Sequence, residues 1–170
     1  MNLEQAKNQL IHSARTIQSI VFGLGKEQAH WKPSSEEWSI AEVMMHLYDE
    51  ERDDFRARIR LIFADPTQEW PEIDPEGWAR ERGYNKRPLA DSLNNFLEER
   101  QASINWLNSL ENPNWDLEGK HPLGFSMAAG HLLAAWVAHD FLHIRQINEL
   151  HYKWTVEQAK PYIVIYAGEW

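Results

Sequence analysis

Four long segments with helical periodicity constrain this chain most, and stretches rich in Pro, Gly, Asn and Asp separate them. Within each segment, apolar residues recur at intervals of three and four and form a single stripe. Segments of about 21 to 26 residues give helices of roughly 30–40 Å, and equal helices with single stripes favour an all-α four-helix bundle. The predicted helices run from about Asn2 to Phe22, Ser39 to Asp65, Pro88 to Leu110 and Ser126 to His151.

Local signals indicate where these helices begin. The stretch Ser39–Glu42 fits a capping box, in which the first and last side chains each bind the backbone N–H of the other. Pro88 suits the first position of the third helix, and Ser126 suits the cap of the fourth. The 22 residues from Asp65 to Lys86 form a longer connection between helices two and three than a hairpin needs. This connection is therefore a crossover or a loop with a role at a site.

Composition narrows the functional classes. A chain of 170 residues predicts one domain over residues 1–170. The net charge of −9 argues against nucleic-acid or anionic-membrane partners, since both require a positive field. Because the chain has no cysteine, a metal would have to bind His, Asp or Glu. No apolar run approaches transmembrane length, and the first ten residues alternate too evenly for a signal peptide, so we expect a cytoplasmic protein.

Two histidines stand four residues apart in the apolar run AHDFLHIRQI of the fourth predicted helix. At this spacing, the side chains of His139 and His143 project from the same helix face and can point at one metal ion. The apolar neighbours Leu132, Trp136 and Ile147 place that face toward the interior. The pair alone fits equally well with two buried histidines that are hydrogen-bonded to carbonyls or carboxylates.

A third histidine, His46, lies on the second predicted helix beside apolar Val43 and Leu47. It could simply be a boundary histidine paired with Glu50, one turn later. If helices two and four pack together, however, it could face His139 and His143. Three neutral imidazoles with water would then form an open, catalytic type of zinc site rather than a closed structural one.

Two motifs in this chain resemble those of the DinB/YfiT-like superfamily of inferred metal-dependent enzymes. WSIAEVMMHL, residues 38–47, is similar to the superfamily's helix-two motif, and HDFLHIRQI, residues 139–147, is similar to its HxxxHxxQI motif. The resemblance implies a four-helix bundle in which His46, His139 and His143 bind a divalent metal, most often zinc or nickel. It also implies a small-molecule substrate and the pairing of chains into a homodimer.

Three functional classes remain open at this stage. A metal with an open position supports hydrolysis, or it can activate a low-molecular-weight thiol, as in the thiol-dependent transferases and isomerases that the resemblance suggests. Such a thiol would have to come from a small molecule. The alternative is a non-enzymatic metal-binding bundle, in which the metal stabilises the fold or the protein has a metal-handling role. Because the ligands must be neutral, metal affinity should weaken below about pH 6.5.

Supporting residues are less well defined by the sequence. Gln146 and Glu50 lie within helical reach of the predicted site, although Glu50 could equally be an exposed charge. Trp38 and Trp136 could line a pocket or belong to the core. No catalytic base stands out. The histidines expected to take no part in the site are His12, His30, His121, His131 and His151.

Overall fold

The computed structural model describes residues 2–168 and Trp170, and it confirms the four-helix bundle. The second bundle helix consists of two α-helical parts joined by a π-helical segment of six residues. The bundle helices are α1 (Leu3–Val21), α3 (Ile40–Asp49) continued by the π-segment (Glu50–Phe55) and α4 (Arg56–Ala64), α6 (Leu89–Asn108) and α7 (Ala129–Ala159). The two shorter helices are α2 (Lys26–His30) and α5 (Pro75–Glu81).

Helix-start signals explain several of these boundaries. Ser39 caps α3, and its capping box with Glu42 forms as predicted: the Ser39 Oγ accepts from the Glu42 N–H, and Glu42 accepts from the Ser39 N–H. A second capping box joins Asn2 and Gln5 at the start of α1. Pro88 is the residue before α6 rather than its first helical residue. Each cap satisfies backbone N–H groups that have no partner within their helix.

The bundle has two apolar clusters with a polar layer between them. One cluster contains Leu10, Phe55 and Trp136, and the other contains Leu47 and Phe96. Along each bundle helix, buried polar residues separate the positions that enter the two clusters. These residues are Ser13 of α1, Glu50 and Glu51 of the second helix, Arg100 of α6 and Asp140 of α7. The polar layer therefore crosses the middle of the bundle.

The start of the fourth bundle helix differs from the sequence prediction. Ser126 does not cap a helix; it begins strand β2 (Ser126–Ala128), which pairs antiparallel with β1 (Glu118–Lys120). Gly119 of β1 lies so close to α4 and Trp70 that a Cβ there would be 2.7 Å from Ile62 Cγ1. The helix begins at Ala129 and continues to Ala159, eight residues beyond the predicted end at His151. Strands of three residues are too short to give a periodic signal.

The long connection between the second and third bundle helices is structured. It contains α5 and a 3₁₀ turn over Tyr84–Lys86. Tyr84 is fully buried against α3, and its hydroxyl donates to Asp49. The connection therefore covers the outer side of α3. Among the helices of the described residues, none has an apolar stretch long enough to cross a membrane.

Candidate metal centre

The structure brings His46, His139 and His143 together. His46 lies on α3, four residues before the π-segment, and the other two lie on α7, which packs against α3. The Nε2 atom of His139 is 3.2 Å from His46 Nε2 and 3.0 Å from His143 Nε2. One ligand nitrogen from each ring lies within 4.8 Å of the other two, so all three could bind one ion.

The donor set fits a metal better than it fits hydrogen bonds between the rings. Nitrogens bound to zinc at about 2.0–2.1 Å in tetrahedral geometry lie about 3.3 Å apart, close to the separations observed here. In a neutral imidazole, each nitrogen carries either one proton or one lone pair. His139 Nε2 faces two nitrogens and can satisfy only one of them well. A single cation among the rings would satisfy all three.

The electrostatic setting keeps these histidines neutral. Burial, together with the smaller effects of the neighbouring His143 and His139, lowers the pKa of His46 to about 2. Burial and, to a smaller extent, His143 likewise lower the pKa of His139 to about 3. The pKa of His143 is also lowered, mainly by burial. Since neutral imidazole is the metal-binding form, proton competition should begin below the pH of 6.5 expected from the sequence.

Acid should destabilise the metal-free protein through these histidines. A histidine whose pKa falls from 6.5 to about 3 on folding binds fewer protons in the folded state. The contribution of such a histidine to the free energy of unfolding is fully present above pH 6.5 and is lost progressively as the pH falls toward 3. For His139, the loss between pH 7 and pH 5 should be roughly 2 kcal/mol. We expect the free energy of unfolding of the chelated parent, measured by urea titration, to fall between pH 7 and pH 5. This fall should exceed the fall measured for His139→Gln by the same roughly 2 kcal/mol.

This comparison with the variant isolates the histidine. The pKa of buried Glu50 is raised to about 9, so its contribution changes with pH in the opposite direction and is shared by both proteins. Parallel stability profiles for the parent and His139→Gln would show that His139 is not held neutral by folding.

Gln146 and Glu50 lie behind two of the ligand nitrogens. Gln146 Oε1 is 2.7 Å from His143 Nδ1, so it can accept the Nδ1–H and leave the Nε2 lone pair free for a metal. Glu50 is buried, which excludes its alternative role as an exposed helix charge. Its Oε1 is 3.8 Å from His46 Nδ1, and neither of these buried atoms has a hydrogen-bond partner among the described residues. Glu50 is thus placed to orient His46.

Glu50 begins the π-segment and belongs to a row of buried side chains that starts at His46. His46, Glu50, Asp54 and Arg58 follow one another at intervals of four residues through this part of the helix. The last two residues of this row form an ion pair, with Arg58 Nε 2.5 Å from Asp54 Oδ1. Burial is the main cause of the raised pKa of both Glu50 and Asp54. The wider hydrogen-bond ring of π-helix is often found at functional sites, and here it lies directly beside His46.

Removing Glu50 should weaken metal binding. We expect Glu50→Ala to raise the dissociation constant for zinc about 10–100-fold, because the tautomer and orientation of His46 would no longer be fixed. Glu50→Gln should lie between the alanine variant and the parent, since an amide oxygen can accept the same N–H. Competition with a chromophoric chelator measures these affinities. Glu98→Ala, an exposed carboxylate on α6, serves as the control, and equal affinities for Glu50→Ala and Glu98→Ala would contradict the orienting role.

A buried ion-pair network lies beside the histidines and was not predicted from the sequence. Arg100 of α6 binds Glu51 through Nε and Nη2, each at 2.8 Å, and Asp140 through Nη1 and Nη2 at 2.7 and 2.9 Å. Arg100 Nη1 also donates to the carbonyl of Leu10 in α1. Trp136 Nε1 donates to Glu51 and is 1% exposed, so Trp136 is a core residue and does not line a pocket. The network thus joins all four bundle helices next to the site.

A cleft of about 390 Å³ gives access to the cluster. His46 and His143 lie at its floor, and Trp38 and Leu150 form apolar parts of its wall. Trp38 meets the His46 ring edge-on, with the ring centroids 5.1 Å apart. A ligand could therefore reach an ion held by the three rings from this side.

The other histidines lie outside the cluster. His131 is exposed on α7. His151 is not near the end of its helix as predicted: its ring joins α7 to the first part of the chain, with Nε2 2.7 Å from the Ile20 carbonyl and Nδ1 3.0 Å from Gln28 Nε2. His30 is not simply solvated, because its Nδ1 lies 3.2 Å from Asn85 Oδ1.

The fold and the cluster together define a four-helix bundle with an accessible three-histidine centre. A sequence model of the DinB superfamily matches residues 9–147. The chain belongs to the DinB superfamily. This confirms the resemblance that the two motifs carry.

Individual relatives agree with this assignment. An Oceanobacillus iheyensis protein, named as an inferred metal-dependent hydrolase, is 29% identical over 148 residues, covering 84% of this chain and 82% of that protein. The structure of YfiT from Bacillus subtilis, described as an inferred metal-dependent hydrolase with an unusual four-helix bundle topology, superposes with a TM-score of 0.81 at 18% identity. That match covers 90% of this chain and 87% of YfiT.

A second solved structure is the mycothiol-dependent maleylpyruvate isomerase. It superposes with a TM-score of 0.67 at 15% identity, over 86% of this chain and 61% of the isomerase. At this identity, the likeness concerns the fold alone. The bundle is therefore shared with a thiol-dependent enzyme that has a further region outside the match.

Proposed function

We propose that this protein is a metal-dependent enzyme in which His46, His139 and His143 hold one divalent ion, zinc or nickel. The observation that carries the proposal is the meeting of the three Nε2 atoms beside an open cleft that His46 and His143 line. Three protein ligands leave coordination positions for substrate, as in catalytic rather than structural sites. The substrate is a small molecule that enters through the cleft.

Hydrolysis is the reaction that this arrangement favours. An ion bound here would supply a Lewis acid and would lower the pKa of water toward about 7. The chain's own residues bind and orient: Gln146 fixes the tautomer of His143, and Glu50 orients His46. Trp38 and Leu150 hold an apolar part of the substrate and exclude water from that wall of the cleft.

Thiol-dependent transfer is the second candidate. The structural likeness to a mycothiol-dependent isomerase supports it, and because this chain has no cysteine, the thiol would have to come from a separate molecule. The thiol would be a low-molecular-weight cofactor that enters the same cleft, and an ion at the cluster would favour its thiolate form. The two candidates share the metal centre and differ in whether a thiol is required.

Activity assays on metal-loaded protein distinguish these functions. We expect a panel of small esters and amides to be hydrolysed without added thiol, with activity lost on chelation and restored by zinc or nickel. Turnover only when a thiol is added would favour transfer. A non-enzymatic bundle predicts no turnover in either assay, and a structural metal predicts loss of the helical circular-dichroism signal on chelation. A homodimer, a cytoplasmic location and the lack of nucleic-acid partners remain predictions from the sequence.

A further inference from the structure

The rim of the cleft carries an excess of negative charge. Lys153 Nζ lies 2.5 Å from Glu37 Oε1 and 3.0 Å from Glu149 Oε1, so two carboxylates already neutralise this ammonium group. A third carboxylate, on exposed Glu36, accepts from the Ser35 hydroxyl at 2.9 Å and has no ion-pair partner among the described residues. Three carboxylates and one ammonium leave a charge of −2 at the rim.

The cleft offers a second attraction for cations. Trp38 lines the wall of the same cleft and packs against the His46 ring. An indole face is the aromatic surface that attracts organic cations most strongly. The acidic rim and the aromatic wall therefore favour the same kind of ligand.

The floor and the rim differ in the groups they attract. A divalent ion held by the histidines would bind a carbonyl or another electron-rich group at the floor. Glu149 follows His143 by six residues on α7, which places it about 9 Å further along the helix axis. A ligand that spans this distance meets a metal at one end and carboxylates at the other.

We propose that the substrate is a small molecule with a metal-binding carbonyl-type group at one end and an ammonium or guanidinium group at the other. This proposal rests on the proposed function, because it requires the metal centre. It also opposes a carboxylate-bearing thiol as the cofactor, since its negative charge would meet the acidic rim. The cleft thereby selects its ligand by charge as well as by metal binding.

Three hydroxamic acids with six carbons each but different terminal charge test the proposal. 6-Aminohexanohydroxamic acid carries an ammonium group, hexanohydroxamic acid is neutral, and adipic monohydroxamic acid carries a carboxylate. Calorimetric titration of the zinc-loaded protein should show the ammonium probe binding roughly tenfold more tightly than the neutral one, and the carboxylate probe more weakly. The preference should shrink when the salt concentration rises from low to about 0.5 M.

Two charge-matched variants locate the preference. Glu36→Gln removes the unpaired rim charge and leaves the contacts of Lys153 intact, so the preference for the ammonium probe should fall to roughly threefold. Glu157→Gln makes the same charge change on α7, where the carboxylate pairs with Lys160 outside the cleft, and should keep the tenfold preference. Equal effects of the two variants would show that the overall charge of the protein, rather than the rim, causes the preference.

The outcomes separate this proposal from the function on which it rests. Tight binding of the neutral probe to zinc-loaded but not metal-free protein, without any preference for the ammonium probe, would overturn the cationic substrate and leave the metal centre standing. A preference for the carboxylate probe would overturn it in the same way. Failure of all three probes to bind the zinc-loaded protein would overturn the proposed function itself.

Discussion

Replacing His139 with alanine should abolish stoichiometric metal binding. His139 Nε2 is the nitrogen that lies close to both of the others, so its loss leaves two ligands that no longer surround an ion. An outer hydrogen-bond partner alone is worth about 10–100-fold in metal affinity, and loss of a ligand should cost at least ~100-fold. Elemental analysis of protein purified without chelator or histidine tag, together with chelator competition, measures the effect.

His131→Ala is the matched control for this variant. It removes an exposed imidazole from the same helix, eight residues earlier, and should leave one zinc or nickel per chain. Both variants should keep the helical circular-dichroism signal of the parent, because the bundle core does not depend on either side chain. Equal metal loading in His139→Ala and the parent, or sub-stoichiometric metal in the parent, would show that the three histidines do not form a metal centre.

The sequence predicts the histidine cluster because each member follows a local rule. His139 and His143 share a helix face at a spacing of four, and His46 lies on the apolar stripe that the capping box at Ser39 helps to define. What the sequence leaves open is whether α3 and α7 pack with these faces together. The resemblance supplies that step, and the structure shows the contact.

The polar layer could not be predicted from apolar periodicity. Arg100 occupies the stripe position between Phe96 and Ile104, and Glu51 occupies the one between Leu47 and Phe55. Each looks like an interruption of the stripe when its own helix is considered alone. Only packing shows that these interruptions meet and neutralise one another. A charged residue at a stripe position on two helices is the signal that could have found them.

The π-segment has no residue signature comparable to a cap. Its sequence EERDDF reads as an ordinary exposed helix turn, yet Glu50, Glu51 and Asp54 are buried. At the start of this segment Glu50 lies behind His46, and the next residue, Glu51, reaches Arg100. One local irregularity thus connects the candidate metal centre to the polar layer that joins the helices.

Removing Arg100 should destabilise the bundle strongly. We expect Arg100→Leu to lower the free energy of unfolding by about 3–5 kcal/mol, because it leaves the buried carboxylates of Glu51 and Asp140 without a cation. Because all three side chains are at most 3% exposed, solvent cannot screen the charges of the two carboxylates. Urea titration of the chelated proteins measures the loss without a contribution from bound metal.

A triple variant separates lost charge pairing from lost packing. Arg100→Leu combined with Glu51→Gln and Asp140→Asn removes every charge of the network, so it should recover much of the stability that the single variant loses. Arg145→Ala, an exposed arginine on α7, should change the stability by less than about 0.5 kcal/mol. If Arg100→Leu lost no more than Arg145→Ala, or if the triple variant were no more stable than the single one, the network would not hold the four helices through its charges.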